Sequence, residues 1–288
     1  MRISENLLFL IARQMMKRKG SVSEEFSEKL SSADTYNDYR TQELERILAA
    51  AEREGIIFAG KDVLDLGSGP GAIAYGLHAT GGARSVVGVD IKPHEVDAAN
   101  ARFGGEHVRF VLSGQDGIPL PDASVDVINS FDVFEHVSNV PAILEECHRI
   151  LRPGGEILIG TWGWYHPFAP HYWHLMPVPW AHVVFSEKTF MRACRRIYLS
   201  DVYTDPLPFE LDENGEKDMS RHNIDYIPDV YVNKLLIKDF ERHFESSPFN
   251  YKMTLIPLGP LKRVPPVVKL PLLKELLTGY LWVKLTKR

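Results

Sequence analysis

A short apolar strand that runs directly into a glycine-rich turn constrains this sequence more than any other feature. Residues 63–66 (VLDL) lead into Gly67, Gly69 and Gly71, and residues 86–89 (VVGV) end at Asp90. Paired strands with these ends are typical of an α/β sheet that binds an adenosine-bearing cofactor. The glycines let the backbone approach a ligand without an intervening Cβ. Asp90 is then placed to accept hydrogen bonds from both ribose hydroxyls.

The acid that precedes the first glycine narrows the choice of cofactor. A dinucleotide site requires the pattern G-x-G-x-x-G, which holds a pyrophosphate at a helix N-terminus. Asp65 would repel that pyrophosphate, whereas it could receive an ammonium group. The stretch from Asp65 to Gly71 resembles motif I of the class I S-adenosylmethionine (SAM) dependent methyltransferases. The resemblance continues in order through Asp90 and through residues 118–126 (IPLPDASVD), 134–137 (FEHV) and 151–155 (LRPGG).

This resemblance implies SAM as the cofactor and assigns the residues that bind it. Asp65 and the backbone of Gly67, Gly69 and Gly71 would meet the amino acid moiety, and Asp90 would take the ribose hydroxyls. Further contacts are expected from Ile91 against the adenine ring, Gln115 and Asp116 at the adenine edge, and the backbone near Ser130 or Phe131. Many relatives have an acid followed by alanine where this chain has Gly114-Gln115, so the adenine contact departs from the family pattern. Arg40 is expected to bind the methionine carboxylate.

Strand and helix patterns alternate along the chain and predict a doubly wound, mostly parallel sheet of seven strands with helices on both faces. The predicted strands cover 62–66, 85–90, 108–112, 125–130, 156–161, 251–257 and 280–287, the last antiparallel as in the family. We predict four regions: an N-terminal helical cover (1–55), a SAM-binding core (56–161), an inserted cap (162–235) and the rest of the core sheet (236–288). Residues 21–35, rich in Ser and Glu, are predicted to form a linker.

The cap is unusually rich in rings, since four of the five tryptophans of the chain fall within residues 162–180. Aromatic rings with polar edges line pockets for flat or apolar ligands and hold cations, although the same rings could simply pack the cap. The candidates for acceptor binding are Trp162, Trp164, His166, His171, Tyr172 and His174. His171 and His174, spaced as if one helical turn apart, could also bind a metal together with His166 or His182 and a carboxylate such as Glu187. Surface or hydrogen-bonded histidines are the favoured interpretation.

Methyl transfer to a hydroxyl or a carbon acid requires that a proton be removed from the acceptor. His136 follows the end of the fourth predicted strand, beside Glu135, and is the candidate base or acceptor ligand. The spacing Asp132-x-x-Glu135-His136 is similar to the acidic cluster of the ubiquinone-biosynthesis O-methyltransferases, in which a divalent ion can sit near the acceptor hydroxyls. Such ligands suit Mg²⁺, Mn²⁺ or Fe²⁺. A metal is not favoured here, because the Glu-His-Val pattern is common in methyltransferases without one.

Composition fits a soluble cytoplasmic enzyme with a small-molecule substrate. The 288 residues carry a net charge of −5, which argues against a general affinity for nucleic acid phosphates. The chain holds only Cys147 and Cys194, which are far apart, and it contains no apolar run long enough to span a membrane. Residues 7–19 could form an amphipathic helix, which either covers the cofactor or a subunit or lies on a membrane surface. The sequence does not decide between a monomer and a homodimer.

The expected reaction is methyl transfer from SAM to a small, aromatic or apolar metabolite. Oxygen is the favoured acceptor atom, followed by nitrogen or carbon. Two alternatives stay open at this point. The first is SAM chemistry without methyl transfer to a second molecule, such as cyclisation or decarboxylation, and the second is a SAM-binding regulatory protein without turnover.

Overall fold

The computed structural model describes residues 2–19, 33–114, 117–204, 206–207, 210–220, 222–229, 231–259, 261 and 270–288. The chain forms two compact units. The cap unit comprises Met1–Tyr36 and Trp164–Val232, and the core unit comprises Asn37–Gly163 and Asn233–Arg288. The predicted cap, 162–235, begins two residues before the second segment of the cap unit and ends three residues after it. The four-part division itself stays a prediction.

The core unit is built on seven strands: β1 (Asp62–Leu66), β2 (Ser85–Asp90), β3 (Val108–Leu112), β4 (Val125–Phe131), β5 (Leu151–Thr161), β6 (Phe249–Pro257) and β7 (Thr278–Lys287). Their order in the sheet is β3-β2-β1-β4-β5-β7-β6. Strands β1 to β5 pair in parallel, and β7 pairs antiparallel with both β5 and β6. The predicted fold class, including the antiparallel last strand, is confirmed.

Helices cover both faces of this sheet. The helices of the core unit are α2 (Ala33–Glu54, whose first residues belong to the cap unit), α3 (Ala72–Ala79), α4 (Pro93–Phe103), α5 (Val140–Ile150), α8 (Ile237–Glu245) and α9 (Pro271–Leu277). One buried cluster joins α5 and α8 to the sheet through residues such as Leu144 and Phe240. A second cluster joins α2, α3 and α4 through residues such as Ile47, Leu77 and Ala99. Apolar layers on both faces explain why the strands read as nearly continuous hydrophobic runs.

Most predicted element boundaries agree with the structure to within two residues, and the larger differences have local causes. Strand β5 begins at Leu151, because Val125 pairs with Leu151 across an irregularity in the ladder. Helix α2 ends before Gly55, which has a φ of +69°, as a C-terminal glycine predicts. That helix begins at Ala33, so the last residues of the predicted linker are helical. The rest of that linker, residues 21–32, lies outside the described residues.

The cap unit contains α1 (Arg2–Lys19), the short α6 (Ala181–Val184) and α7 (Glu187–Tyr198). Ser186 caps α7 by accepting a hydrogen bond from the backbone of Thr189. Leu8 and Ala12 of α1 pack with Met191 and Cys194 of α7 in the buried cluster of this unit. Within the described part of the chain, no helix is both long enough and apolar enough to cross a membrane.

Candidate active site

The turn after β1 is shaped by three glycines in the left-handed region, with φ values of +75° at Gly67, +50° at Gly69 and +95° at Gly71. A Cβ on Gly67 would collide with the side chain of Val133, and one on Gly71 would lie 2.6 Å from the ring of Phe110. A Cβ on Gly69 would meet nothing within 4 Å. The outer glycines therefore permit close packing inside the protein, whereas the central glycine faces open space that a ligand can occupy.

Asp90, at the end of β2, is tied directly to this turn. Its Oδ2 accepts a hydrogen bond of 2.9 Å from the backbone N–H of Gly69, and its Oδ1 accepts one of 3.0 Å from that of Lys92. Each carboxylate oxygen can accept a second bond, so the group keeps capacity for two hydroxyls. The neighbouring Ile91 has 75% of its surface exposed and is available for an apolar contact.

Asp65, the last residue but one of β1, is a buried carboxylate that is only half satisfied. Its Oδ1 accepts a hydrogen bond of 2.7 Å from the side-chain amide of Asn129 in β4. Its Oδ2 is buried and has no hydrogen-bond partner among the residues that the structure describes. Burial raises the pKa of Asp65 to about 7, against the opposing effect of the Asn129 bond. A buried cationic donor beside Oδ2 would restore the charged form.

The end of β4 carries a strained acidic residue. The buried Ser130 and Phe131 end the strand, and Asp132 follows with a φ of +55°, in the left-handed region that non-glycine residues seldom adopt. The backbone N–H of Asp132 bonds to the carbonyl of Gly160, and the phenol of Tyr280 donates to its Oδ1 over 2.6 Å. Burial raises the pKa of the Asp132 carboxyl, although Arg40 opposes the shift. Strain of this kind clusters at functional sites.

Arg40 of α2 reaches the same place. Its Nη1 lies 3.6 Å from Oδ2 of Asp132, and its guanidinium lies 5.2 Å from the centre of the Phe131 ring. Arg40 also lowers the pKa of Asp65 through its charge. The structure therefore brings the predicted carboxylate-binding cation to the β1 and β4 ends of the sheet. Its role toward a methionine carboxylate stays a prediction.

Glu135 lies just beyond, in the loop that follows β4. It is 1% exposed; its Oε2 accepts a 2.7 Å hydrogen bond from the hydroxyl of Thr161, and its Oε1 has no described partner. Burial, followed by the charge of Asp132, raises the pKa of Glu135 to about 8. The loop is held by the side-chain amide of Asn233, which donates to the carbonyls of Phe134 and Val137. His136 sits close enough to Asp132 to lower the pKa of that carboxyl.

Several residues of the site were missed by sequence reasoning. Tyr280 and Asn233 hold Asp132 and the 134–137 loop from positions about a hundred or more residues away. No local pattern marks them, because contact across the sheet depends on the strand order. Asn129 offered a signal, since a polar amide in an apolar strand needs a partner. Gln115 and Asp116, predicted at the adenine edge, lie outside the described residues.

The core and cap units hold the predicted acceptor-binding residues in different surroundings. In the core unit, the ring centroids of Trp162 and Tyr280 lie 5.9 Å apart. In the cap unit, Tyr172 packs against Phe190 and Tyr231, and His171 lies edge-on to Tyr231. Their roles toward an acceptor remain predictions.

Residues 171–174 do not form a helix, so the assumed spacing of one helical turn between His171 and His174 is wrong. His171 has a φ of +63°, in the left-handed region, which the interior of a right-handed helix does not accommodate. His174 is 7% exposed and bonds through Nε2 to Oε1 of Glu210 over 3.1 Å. Glu187 accepts a bond from the backbone of Ile227.

The other two histidines of residues 162–182 are the half-buried His166 and the buried His182, and both are neutral. His182 bonds through Nε2 to the carbonyl of Trp164 over 2.8 Å, and the ring of Trp164 lies edge-on to it at 4.8 Å. The Nδ1 of His166 accepts a bond of 3.3 Å from the backbone N–H of Phe168. Burial lowers the pKa of His166 and of His182 to about 4. Both rings therefore present neutral imidazoles at pH 7.

The fold and the glycine turn together are those of a Rossmann-like, class I methyltransferase type of α/β domain. Comparisons with known proteins agree. Residues 64–159 match the model of a family described as "Methyltransferase domain". A probable S-adenosylmethionine-dependent methyltransferase of Mycolicibacterium smegmatis is 40% identical over 104 residues, which is 36% of this chain and 38% of that protein. Residues 64–159 are thus similar to the SAM-dependent methyltransferases, and the chain spans well under two thirds of the length of that relative.

Solved structures show the same fold at low sequence identity. A SAM-dependent methyltransferase from Thermotoga maritima superposes with a TM-score of 0.50 at 13% identity, over 93% of this chain and 96% of that chain. The phosphoethanolamine N-methyltransferase 2 of Haemonchus contortus, in complex with SAM, also superposes with a TM-score of 0.50, at 16% identity. The match covers 84% of this chain and 52% of the Haemonchus enzyme.

The residues of the core unit fit SAM, the cofactor of the methyltransferases that this chain resembles. The buried Oδ2 of Asp65, which has no partner among the described residues, suits an ammonium group, and the open face of Gly69 admits a ligand beside the backbone. Asp90 retains acceptor capacity for ribose hydroxyls. SAM carries a cationic amino acid moiety and a ribose, which match these two acids, and it has no phosphate for Asp65 to repel.

Proposed function

We propose that this protein transfers a methyl group from SAM to a small, aromatic or apolar metabolite, with oxygen the favoured acceptor atom, followed by nitrogen or carbon. The observation that carries the proposal is the half-satisfied carboxylate of Asp65 beside a glycine turn whose central residue faces open space. Bound SAM would supply an electrophilic methyl group on a sulfonium. The protein would then have to hold the acceptor in line and free its lone pair.

The acidic cluster at the end of β4 supports a role in preparing the acceptor. We assign His136 as the base that removes the acceptor proton, with Asp132 and Glu135 as the carboxylates around it. A pKa of about 8 keeps most of Glu135 protonated at neutral pH, so we assign the role of base to its neighbour His136. No step of this scheme requires a metal, and the metal hypothesis for Asp132, Glu135 and His136 stays open.

The ribose assignment is tested by Asp90→Ala, with Asp97→Ala as the control, because Asp97 is an exposed acid on α4. Calorimetry should show loss of SAM binding in the first variant and wild-type affinity in the second. Circular dichroism and thermal unfolding check that each variant is folded. Normal binding by a folded Asp90→Ala variant would show that the ribose assignment is wrong.

The acceptor chemistry is tested by His136→Ala. We expect SAM affinity within about twofold of wild type and a fall in turnover of roughly 10²- to 10⁴-fold, the usual contribution of a general base. An unchanged rate would remove His136 from the mechanism. Acceptors for this assay are found by screening small phenols, amines and carbon acids, with formation of S-adenosylhomocysteine as the readout.

Incubation with SAM alone separates the proposed function from its two alternatives. A methyltransferase leaves SAM intact until an acceptor is added and then releases S-adenosylhomocysteine. Methylthioadenosine or another breakdown product without an acceptor would favour cyclisation or decarboxylation chemistry. Binding without any product across the acceptor screen would favour a regulatory protein.

The setting of this activity is also a proposal. We place it in the cytoplasm, on a small-molecule acceptor and without nucleic acid, on the strength of composition and net charge. The acceptor-binding roles of Trp162, Trp164, His166, His171, Tyr172 and His174, and the choice between monomer and homodimer, stay predictions from the sequence. Trp164→Ala and Tyr172→Ala, assayed for a change in acceptor KM, test the first of these.

A further inference from the structure

Helix α1 has two apolar faces, and among the residues of the cap unit that the structure describes only one of these faces is packed. Leu8 and Ala12 are fully buried against α7. Nearly opposite them, Ile3, Leu7, Leu10 and Ile11 are 84%, 52%, 57% and 38% exposed. Their spacing of i, i+4, i+7 and i+8 places all four side chains on one stripe of the helix. We call this set the α1 outer face.

Basic side chains continue the α1 outer face at its C-terminal end. Lys17 and Arg18 follow Leu10 and Ile11 by seven residues each, so they project from the same side of the helix two turns later, and both are exposed. The helix contains five basic residues and one acidic residue, a formal charge of +4, whereas the whole chain carries −5. This cationic helix therefore differs in charge from the rest of the protein.

The opposite flank of α1 is occupied by internal ion pairs. Arg13 binds Asp201 through two contacts of 2.9 Å, and Glu5 lies 3.3 Å from Arg196. Arg196 also stacks 4.1 Å from the centre of the Phe9 ring. These contacts fix the rotation of the helix about its axis, so that the outer face keeps its large aliphatic side chains outward.

We propose that the α1 outer face lies on the surface of an anionic lipid bilayer. Four aliphatic side chains in one stripe, continued by lysine and arginine, match a helix that lies in the plane of a membrane interface. The apolar groups enter the boundary of the acyl chains, and Lys17 and Arg18 reach the phosphate level along their own methylene stems. A second copy of the chain fits less well, because pairing two outer faces would bring two helices of charge +4 together.

The experiment is co-sedimentation of the full-length protein with phosphatidylcholine vesicles that contain or lack phosphatidylglycerol. We expect binding to the anionic vesicles that weakens as salt is added. Lys17→Gln/Arg18→Gln should reduce the partition coefficient about thirtyfold, which is the loss of two basic contacts with an anionic surface. Leu7→Ser/Leu10→Ser should reduce it by roughly tenfold or more on both kinds of vesicle.

Matched controls lie elsewhere on the chain. Val184→Ser removes an aliphatic side chain that is 73% exposed in the cap unit, and Lys238→Gln removes an exposed lysine of the core unit. Both should bind vesicles as the wild type does. SAM affinity, measured by calorimetry, should be the same in all variants, so the outcome is independent of the proposed function.

Three results would overturn the proposal. The first is equal binding to vesicles with and without phosphatidylglycerol, or none to either. The second is wild-type vesicle binding by the Leu7→Ser/Leu10→Ser variant. The third is a dimer in analytical ultracentrifugation that becomes a monomer in that variant, since this would identify a second copy of the chain as the occupant of the outer face.

Discussion

Buried Glu210 of the cap unit and buried Asp65 and Glu135 of the core unit have opposite hydrogen-bonding surroundings. In the cap unit, Glu210 accepts hydrogen bonds from His174, from the Tyr203 hydroxyl and from the backbone of Leu207. Burial raises the pKa of Glu210, but His174, His222 and the Tyr203 hydroxyl outweigh it and hold the pKa well below the ordinary value. In the core unit, Asp65 and Glu135 each keep one oxygen without a described partner, and burial raises their pKa values to about 7 and 8.

This difference separates structural acids from candidate functional ones. A buried carboxylate with a full set of donors stabilises the fold in its charged form. One that is left half satisfied lowers stability, and it persists where a ligand completes it or where a proton must move. A buried carboxylate oxygen without a hydrogen-bond donor is therefore a better indicator of a binding or catalytic site than the number of histidines or acids in a segment. The histidine-rich cap attracts attention in the sequence, yet its best-defined buried acid is internally satisfied.

The largest expected effect tests the structural side of the comparison. Glu210→Ala leaves His174, Tyr203 and a backbone N–H without their acceptor, and it should lower the free energy of unfolding by about 3–5 kcal/mol. Denaturant titration of the full chain measures this change. Glu213→Ala, in an exposed turn of the same unit, should shift it by less than about 0.5 kcal/mol. Equal effects in the two variants would contradict a structural role for Glu210.

The variant Asp65→Asn tests whether the half-satisfied carboxylate of the core unit binds a ligand. The variant keeps a polar side chain beside Asn129 but cannot carry a negative charge toward a cationic ligand. We expect SAM affinity to fall by about 10- to 150-fold, corresponding to a charged hydrogen bond of roughly 1.5–3 kcal/mol. The free energy of unfolding should not fall by more than about 1 kcal/mol, because the half-satisfied carboxyl was costly to bury. Retention of wild-type affinity would remove Asp65 from the ligand site.

The pH dependence of SAM binding is a second test of the role of Asp65. A cationic ligand favours the ionised form of Asp65, so the affinity should be fully developed above pH 7 and lost as the pH falls through the pKa of about 7. The dissociation constant should be measured from pH 7.5 to pH 5.5. Below pH 7 it should rise by about tenfold for each unit by which the pH falls. Calorimetry in buffers of different ionisation enthalpy should detect proton release on binding near pH 6. In Asp65→Asn this release should disappear.

The smallest expected effect concerns Tyr280. Tyr280→Phe removes the hydroxyl that donates to Asp132, which should reduce the free energy of unfolding by about 1 kcal/mol. Since that bond lowers the pKa of Asp132, the pKa should rise further in the variant, and any limb of the activity profile due to Asp132 should move to higher pH. Tyr251→Phe, which removes an exposed bond to Glu245, is the control and should change neither quantity measurably. Identical pH profiles for Tyr280→Phe and wild type would show that Tyr280 does not tune the site.

Local patterns were sufficient to predict the sheet and most of its boundaries. Strands such as 62–66, 85–90 and 108–112 agree with the structure residue for residue, because apolar runs between glycine turns have few other ways to pack. The glycine turn and Asp90 also come together as predicted, with a 2.9 Å bond between them. Where a boundary differs, pairing with a neighbouring strand decided it: β5 begins at Leu151 rather than at Glu156, because Leu151 pairs with Val125 of β4.

By itself, the sequence determined the alternation of strands and helices, the left-handed glycine turn and the positions of the acids at strand ends. All of these depend on residues that are close in the chain, through hydrophobic period and backbone freedom. Only the tertiary structure decided which acids are satisfied, since the donors to Glu210 and Asp132 come from His174 and Tyr280, 36 and 148 residues away. Burial and hydrogen-bond partners set a carboxyl pKa, and both are properties of the folded chain.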